Sequence, residues 1–281
     1  KLFEVYDPWL YQEMDEQGRD RTSVFRILGT SHDDHDCYPH VLSPIQMDRL
    51  QAHLPNAKRG ESFWLKYSLV RDGSSPLSFL RQVRASPHTL LAMETIDGEV
   101  FGGFFSESWT VRPGHFGSGE TFLWRMKHRR QVQLQLLPGK DNAGAGESSV
   151  SEQIEKEADL EVFKADIYLG NDMYQTCSTQ TIAAGGGAAS EARDFGPERG
   201  GIHPPTRIGF GFALGSSSGA SLVEGSSSAC LTYRSPPLAS AETFELVNLE
   251  AWGFTPCGTE AEARVLEYKN MFFRRHASAS F

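Results

Sequence analysis

The strongest constraint on the fold is a pair of apolar, β-forming runs at 89–96 and 99–105, joined by Asp97-Gly98. An Asp-Gly dipeptide supplies the positive φ angles of a tight hairpin turn, so the two runs are predicted to form neighbouring antiparallel strands. Gly102 and Gly103 stand inside the second run. Because glycine weakens a strand interior, this pair indicates a bulge or the close approach of another backbone segment.

The remaining pattern is of many short strands, few helices and long loops. Helices are predicted after Ser43-Pro44 and Ser75-Pro76, since serine caps a helix and proline suits its first turn. Thr259 with Glu262 forms a capping box for a last helix. Runs at 166–169 and 173–178 are interpreted as further strands. The fold class is therefore predicted to be α+β, a two-sheet antiparallel β-sandwich flanked by a few helices.

Composition excludes several classes of function. There are 36 acidic and 27 basic residues, a net charge of −9, which disfavours nucleic-acid binding because phosphate contact needs a basic face. No apolar run reaches the ~20 residues that span a bilayer, and no secretory signal is visible. The four cysteines are far apart and form no C-x-x-C, so reduced thiols in a cytoplasmic protein are favoured over disulfides or zinc.

Three regions are predicted. Residues 1–41 form an N-terminal extension with a short helix between Asp7-Pro8 and Gly18, residues 42–256 form the main domain, and residues 257–281 form a C-terminal helix and tail. Insertions are placed near 127–160 and 188–207. The first insertion begins with basic residues, becomes rich in Gly, Ala and Ser with a short strand predicted at 132–137, and ends acidic.

A search for catalytic chemistry gives no candidate. His32-Asp-Asp-His-Asp36 is interpreted as a polar loop, because five adjacent residues rarely close a metal coordination sphere. The glycine run 185–187 is followed by neither the lysine nor the helix of a phosphate-binding loop. Cys230 is interpreted as a small buried residue, since nothing near it in sequence would lower its pKa. No catalytic residue, metal or cofactor is therefore predicted.

Three segments follow one another in a fixed order: Val100-Phe-Gly-Gly-Phe-Phe-Ser-Glu107, Gly119-Glu-Thr-Phe122 and Leu249-Glu-Ala-Trp-Gly-Phe254. Together they resemble the TLDc domain family, which includes oxidation-resistance proteins and relatives of nuclear-receptor coactivators. The resemblance runs from about Leu42 to Phe254. Where the family shows an Asp after the strand that ends at Leu214, and later a His, this chain has Gly215 and Glu224, so a role that depends on those two family residues does not transfer.

The resemblance implies a two-sheet sandwich and a protein-interaction function without catalysis. It also implies the family's recurrent partner, the cytosolic part of the vacuolar proton-pumping ATPase, with recruitment to the membranes that carry it, and a role in oxidative-stress resistance. The partner-binding candidates are acids near strands and the basic cluster: Glu107, Glu120, Lys127, Arg129 and Arg130. The structural motif residues are Gly102, Gly103, Gly119, Gly185, Gly186, Gly187, Glu250, Trp252 and Gly253.

Two alternatives remain at this point. The extra termini and insertions favour a structural component of another large assembly, such as the cytoskeleton, since added segments often wrap a neighbour. A thiol-dependent antioxidant enzyme would use Cys230 or Cys177. For Glu107 and Glu120, capping of backbone donors at strand ends is as good an interpretation as partner binding. Trp252 is interpreted as a core residue in preference to an interface anchor.

Overall fold

A computed structural model describes residues 13–14, 20–21, 25–30, 40–130, 155–169, 172–186, 209–215 and 221–278. Its strands are short apart from the last. They are β1 (Glu13–Met14), β2 (Asp20–Arg21), β3 (Ile27–Leu28), β4 (Ser62–Ser68), β5 (Thr89–Thr95), β6 (Val100–Phe105), β7 (Arg112–Phe116), β8 (Phe122–Met126), β9 (Leu160–Lys164), β10 (Gln175–Cys177), β11 (Ile182–Ala184), β12 (Phe212–Leu214), β13 (Glu224–Ser226) and β14 (Thr243–Thr255).

Three of the four helices named here begin where the sequence provides a capping side chain. The four are α1 (Pro44–Gln51), α2 (Leu69–Asp72), α3 (Pro76–Val83) and α4 (Glu260–Ser278). At α1 the hydroxyl of Ser43 accepts from the backbone N of Gln46, and the Gln46 side chain accepts from the backbone N of Ser43, a complete capping box. Ser75 accepts from the backbone N of Leu77 at the start of α3. Single 3-10 turns occupy 56–58 and 167–169.

Twelve strands are joined by hydrogen bonds: ten form one path that includes the long strand β14, and β4 and β3 branch from β14. The first part of β14 pairs with β13, which continues through β12, β11 and β10 to β7. The later part pairs with β4 on one side and β5 on the other, and β5 continues through β6 and β8 to β9. These pairings are antiparallel; β3 alone runs parallel to its neighbour, β4. The two halves are the two sheets of the predicted sandwich, which is confirmed.

Two apolar cores lie on opposite faces of the β4–β9 half. Leu91 and Met93 of β5 face the core shared with the β7–β13 half, whereas Leu90 and Ala92 face a second core that α1 covers. The alternation follows from the period of two along a strand. In β4 the alternation of side chains between the two faces is interrupted at Lys66. Because Ala251 pairs with Tyr67 and Trp252 with Leu65, Lys66 is skipped as a bulge residue. Tyr67 and Leu65 therefore enter different cores.

The hairpin is confirmed: β5 and β6 pair from Thr89 with Phe105 to Glu94 with Val100, and Gly98 has φ +75°. Gly102 also behaves as predicted. A Cβ at this position would lie 1.9 Å from the carbonyl O of Leu91, so only glycine permits this strand spacing.

Some local predictions are wrong. Residues 166–169 were predicted to be a strand but contain a 3-10 turn, because the Asp166 carboxylate accepts from the backbone N of Tyr168 at 3.0 Å and so favours a turn. The first predicted helix does not include Glu13–Met14, which pair with Asp20–Arg21 as strands. A lone glycine such as Gly18 suits a turn as well as a helix end. The strand predicted at 132–137 lies outside the described residues.

Candidate protein-interaction surface

Loops from both sheets meet at one end of the sandwich, called here the loop end and defined by residues 106–111, 117–120, 166–169, 172–174 and 185–186. Glu107 joins two of its segments: its carboxylate accepts from the backbone N of Gly117 at 2.9 Å and pairs with Arg112 at 2.7 Å. The hydroxyl of Ser106 accepts from the backbone N of Ser118 at 2.9 Å. Glu107 thus caps a backbone donor, as its structural interpretation predicted, and remains 46% exposed.

Three glycines of the motif allow the segments of the loop end to pack closely. A Cβ on Gly119 would lie 2.4 Å from Cγ2 of Ile167, so a larger residue at 119 would displace the Ile167 side chain. Gly185 has φ +85°, and a Cβ there would lie 2.2 Å from Sγ of Cys230. A Cβ on Gly186 would lie 2.9 Å from Sδ of Met173. The predicted structural role of these three residues agrees with their geometry; Gly187 lies outside the described residues.

The tip of the loop end exposes apolar side chains. Tyr168 is 93% exposed and Ile167 is 61% exposed. Glu120 is exposed beside them in the chain segment that Ile167 contacts. Tyrosine presents a large amphipathic surface at low conformational cost and is enriched at protein interfaces. Sequence reasoning missed this pair because it placed both residues in a strand; the turn signal of Asp166 could have revealed them.

His115, in β7 near the loop end, is held by stacking. Its ring lies 6.3 Å from that of Phe210, with the planes 29° apart. Burial is the main influence on its pKa and lowers it, against a smaller opposing effect from its hydrogen bond to the backbone of Gly185. Burial therefore disfavours a positive charge on this ring beside the loop end.

The predicted partner-binding residues fall into two groups at opposite ends of the sheet. Glu107 and Glu120 precede β7 and β8, whereas Lys127 and Arg129 follow β8. Lys127 pairs with Asp159 at 2.7 Å; this hydrogen bond raises the pKa of Lys127 and lowers that of Asp159. Arg129 is 55% exposed and bonds to Glu99 at 2.9 Å. The five residues therefore do not form one surface, and their binding of a partner stays a prediction.

Arg130 has an internal role. Its guanidinium donates to Glu157 at 2.7 and 2.8 Å, to Glu94 at 3.0 Å and to the carbonyl O of Val41 at 2.6 Å. Its side chain is only 12% exposed. Although burial opposes its charge, the two carboxylates raise its pKa above the ordinary arginine value. Arg130 thus joins the segment that contains Glu157 to the chain before α1 and to β5.

The Glu250 motif is also internal. The Glu250 carboxylate is fully buried and accepts from the backbone N of Val41 at 2.9 Å, the backbone N of Leu42 at 3.1 Å and the indole N of Trp252 at 3.0 Å. Nδ1 of His40 lies 3.0 Å from the same carboxylate. Trp252 is fully buried, as the core interpretation predicted. This carboxylate attaches the chain before α1 to the long strand β14.

The other motif glycines allow close packing. A Cβ on Gly103 would lie 2.9 Å from the side chain of Leu123, and one on Gly253 would lie 3.1 Å from Oγ of Ser86. Both contacts are tighter than most real Cβ contacts, so both positions favour glycine.

The thiols of the described residues are poorly placed for nucleophilic chemistry. Cys177 and Cys230 are buried, and Cys257 is half-buried. Burial raises the pKa of the Cys177 thiol to about 11, so the reactive thiolate is scarce at neutral pH. Within the described ranges no cluster of three or more His, Cys, Asp or Glu residues could hold a metal ion. The 32–36 loop and Cys37 lie outside them. Over the same part of the chain, no helix is both long and apolar enough to cross a membrane.

Similar proteins cover most of the chain. It is 27% identical to oxidation resistance protein 1 of Podospora anserina over 227 residues, 75% of this chain and 59% of that protein. It is 25% identical to the mTOR-associated protein MEAK7 of Mus musculus over 238 residues, 81% of this chain and 42% of that protein. A third relative, TBC1 domain family member 24 of Xenopus tropicalis, is 28% identical over 236 residues, 76% of this chain and 38% of that protein.

The chain therefore spans less than two thirds of each of these relatives. The sequence model of the TLDc domain matches residues 37–143 and 132–255, and its two parts overlap at 132–143, inside the predicted insertion. They include all three motif segments and end beside the last of them, in β14. The chain belongs to the TLDc domain family.

Proposed function

We propose that this chain is a non-catalytic protein-interaction domain that binds and regulates the cytosolic part of the vacuolar proton-pumping ATPase. The observation that carries the interaction role is the loop end, where Tyr168 and Ile167 are exposed on a turn that the Asp166 carboxylate caps. Exposed aromatic and aliphatic side chains on a rigid support are typical of interface anchors. The ATPase as the partner rests on the family resemblance.

The names of the relatives agree with a regulatory role. One is named for oxidation resistance and another for association with mTOR. The motif residues Glu250, Trp252 and Gly102 are packed inside the fold, which leaves surface loops to contact a partner. Loops on a rigid scaffold commonly carry binding function. A contribution to oxidative-stress resistance would then be indirect, through the partner, and would need no thiol chemistry in this chain.

The test is co-purification of the tagged chain from cells that express the ATPase, with subunits quantified by mass spectrometry. The double variant Ile167→Ser/Tyr168→Ser should recover at least about tenfold less ATPase, since loss of an interface anchor costs more than ~1.4 kcal/mol. The matched control is Tyr268→Ser on α4, where the tyrosine is 74% exposed but lies away from the loop end.

Two results would contradict the proposal. Equal recovery with the double variant and the unmodified chain would exclude the loop end as the contact surface. Failure of the unmodified chain to recover any ATPase subunit would exclude the ATPase as the partner. Recovery of cytoskeletal subunits in its place, dependent on Ile167 and Tyr168, would favour the structural alternative.

A further inference from the structure

A groove of about 520 Å³ lies beside β4, between α3 and α4. It is called here the α3–α4 groove. None of the residues of the loop end lines it, and none of the three family motif segments reaches it. Its floor includes Trp64 of β4, and its walls are charged. The groove is therefore a separate surface from the one proposed above.

The groove is basic on an acidic protein. Five basic side chains line it against three acidic ones, a net charge of +2, whereas the whole chain has a net charge of −9. The stretch 73–93, which contains α3, has no Asp or Glu. A local positive field on a negative protein draws anionic groups to one place and repels them elsewhere.

Each acid of the groove is already paired with one of its bases. Glu267 accepts from Nζ of Lys66 at 2.8 and 2.9 Å. Lys66 is 8% exposed, and its ammonium lies 3.4 Å from the centre of the Trp64 ring. On α4, Glu260 accepts from Arg264 at 2.6 and 3.0 Å.

The third acid, Asp72, accepts from its neighbour Arg71 at 3.0 to 3.2 Å. Arg81 and Arg84 are left over. Both are exposed, and over the ranges that the structure describes neither guanidinium has a carboxylate partner. They are three residues apart at the end of α3, so they lie on the same side of the helix.

A cation at a helix C-terminus also stabilises the helix by ~0.3–1 kcal/mol, which is the alternative explanation for these arginines. Arg49 illustrates a cation at a helix end without a groove. It occupies the last turn of α1, is exposed and lies outside the groove. The groove adds what Arg49 lacks, a concave wall with further bases and an aromatic floor.

We propose that the α3–α4 groove binds an acidic segment of a protein partner, with Arg81 and Arg84 donating hydrogen bonds to its carboxylates. Arginine forms paired hydrogen bonds with carboxylates, and those bonds strengthen in a partly desolvated groove. A concave site suits an extended peptide better than a flat lipid surface. The net charge of −9 opposes a wide anionic membrane, which would face much of the chain, more than a short acidic segment that contacts the groove alone.

The experiment measures fluorescence anisotropy of a labelled octaglutamate peptide with the full chain at about 50 mM and about 300 mM salt. The proposal expects binding that weakens with salt, because screening shortens the reach of exposed charges. Arg81→Glu/Arg84→Glu should weaken binding by at least about tenfold. The matched control is Arg49→Glu/Lys164→Glu, which makes the same change in net charge away from the groove and should change binding less than about twofold.

Equal loss in both double variants would overturn the proposal, since net charge alone would then explain binding. Binding of phosphatidylserine vesicles with the same arginine dependence, without octaglutamate binding, would replace it with a membrane contact. Circular dichroism checks folding, and the single changes Arg81→Gln and Arg84→Gln serve if the charge reversal unfolds the chain. Ile167→Ser/Tyr168→Ser should leave octaglutamate binding intact, so failure here and failure of the loop-end proposal are distinguishable.

Discussion

At the scale of single residues, the family motif works mainly inside the fold. Glu250 shows this most clearly, since a fully buried carboxylate is costly unless donors surround it. Its donors come from residues more than two hundred positions away, Val41 and Leu42, and from Trp252 on its own strand. The residue therefore joins the entry to α1 to the central strand, a role no local sequence pattern reveals.

Replacing Glu250 should destabilise the protein strongly. Glu250→Ala leaves three buried donors without an acceptor, at ~1–3 kcal/mol each, so we expect a loss of roughly 3–5 kcal/mol in the free energy of unfolding. Urea denaturation followed by tryptophan fluorescence measures it. Glu245→Ala, at an exposed position of the same strand, should cost under ~0.5 kcal/mol. Similar losses in the two variants would contradict the assignment.

At the scale of secondary-structure elements, local signals predicted the parts that local chemistry decides. The capped starts of α1 and α3 and the Asp97-Gly98 hairpin are where the sequence places them. The short strands β7, β11 and β13 were missed, because three to five residues paired across the chain carry little periodicity. Strand β8 separates Glu120 from Lys127 and Arg129, because these residues lie at its opposite ends.

The same limit explains why neighbouring arginines differ in role. Arg129 is exposed and Arg130 is clamped, yet both belong to one basic run in the sequence. The partners that decide between them, Glu94 and Glu157, lie on other elements. The family motifs were therefore recognisable from the sequence, whereas the exposed pair Ile167 and Tyr168 and the assignment of each charged residue to surface or interior were not.

Substitution of the two arginines should separate their roles. Arg130→Ala leaves Glu94 and Glu157 half-buried without their cation and should cost ~3–5 kcal/mol in unfolding free energy. Arg129→Ala removes an exposed ion pair and should cost under ~1 kcal/mol. Chemical denaturation measures both. If Arg129→Ala were the more destabilising change, the internal role of Arg130 with Glu94 and Glu157 would be refuted.

At the scale of the whole molecule, the core between the two sheets contains groups that titrate at alkaline pH. Burial raises the pKa of Tyr67 and of Tyr233 well above 10, in addition to that of Cys177. A group whose pKa is raised by folding makes its full contribution to the free energy of unfolding at pH values below its pKa in the unfolded chain. That contribution is lost as the pH rises toward its pKa in the folded protein. Lys66, whose pKa burial lowers, acts in the opposite direction.

A difference measurement isolates the Cys177 contribution from the others. The unfolded pKa of its thiol is 9.0 and the folded one is about 11, so between pH 7.5 and pH 10 the unmodified chain should lose stability relative to Cys177→Ala, by about 1.4 kcal/mol. Urea denaturation of both proteins at the two pH values gives this quantity. Cys257→Ala, at a half-buried thiol, is the control and should show a much smaller change. A difference between the chain and Cys177→Ala that does not depend on pH would mean that the thiol meets solvent, and that the two sheets do not enclose it.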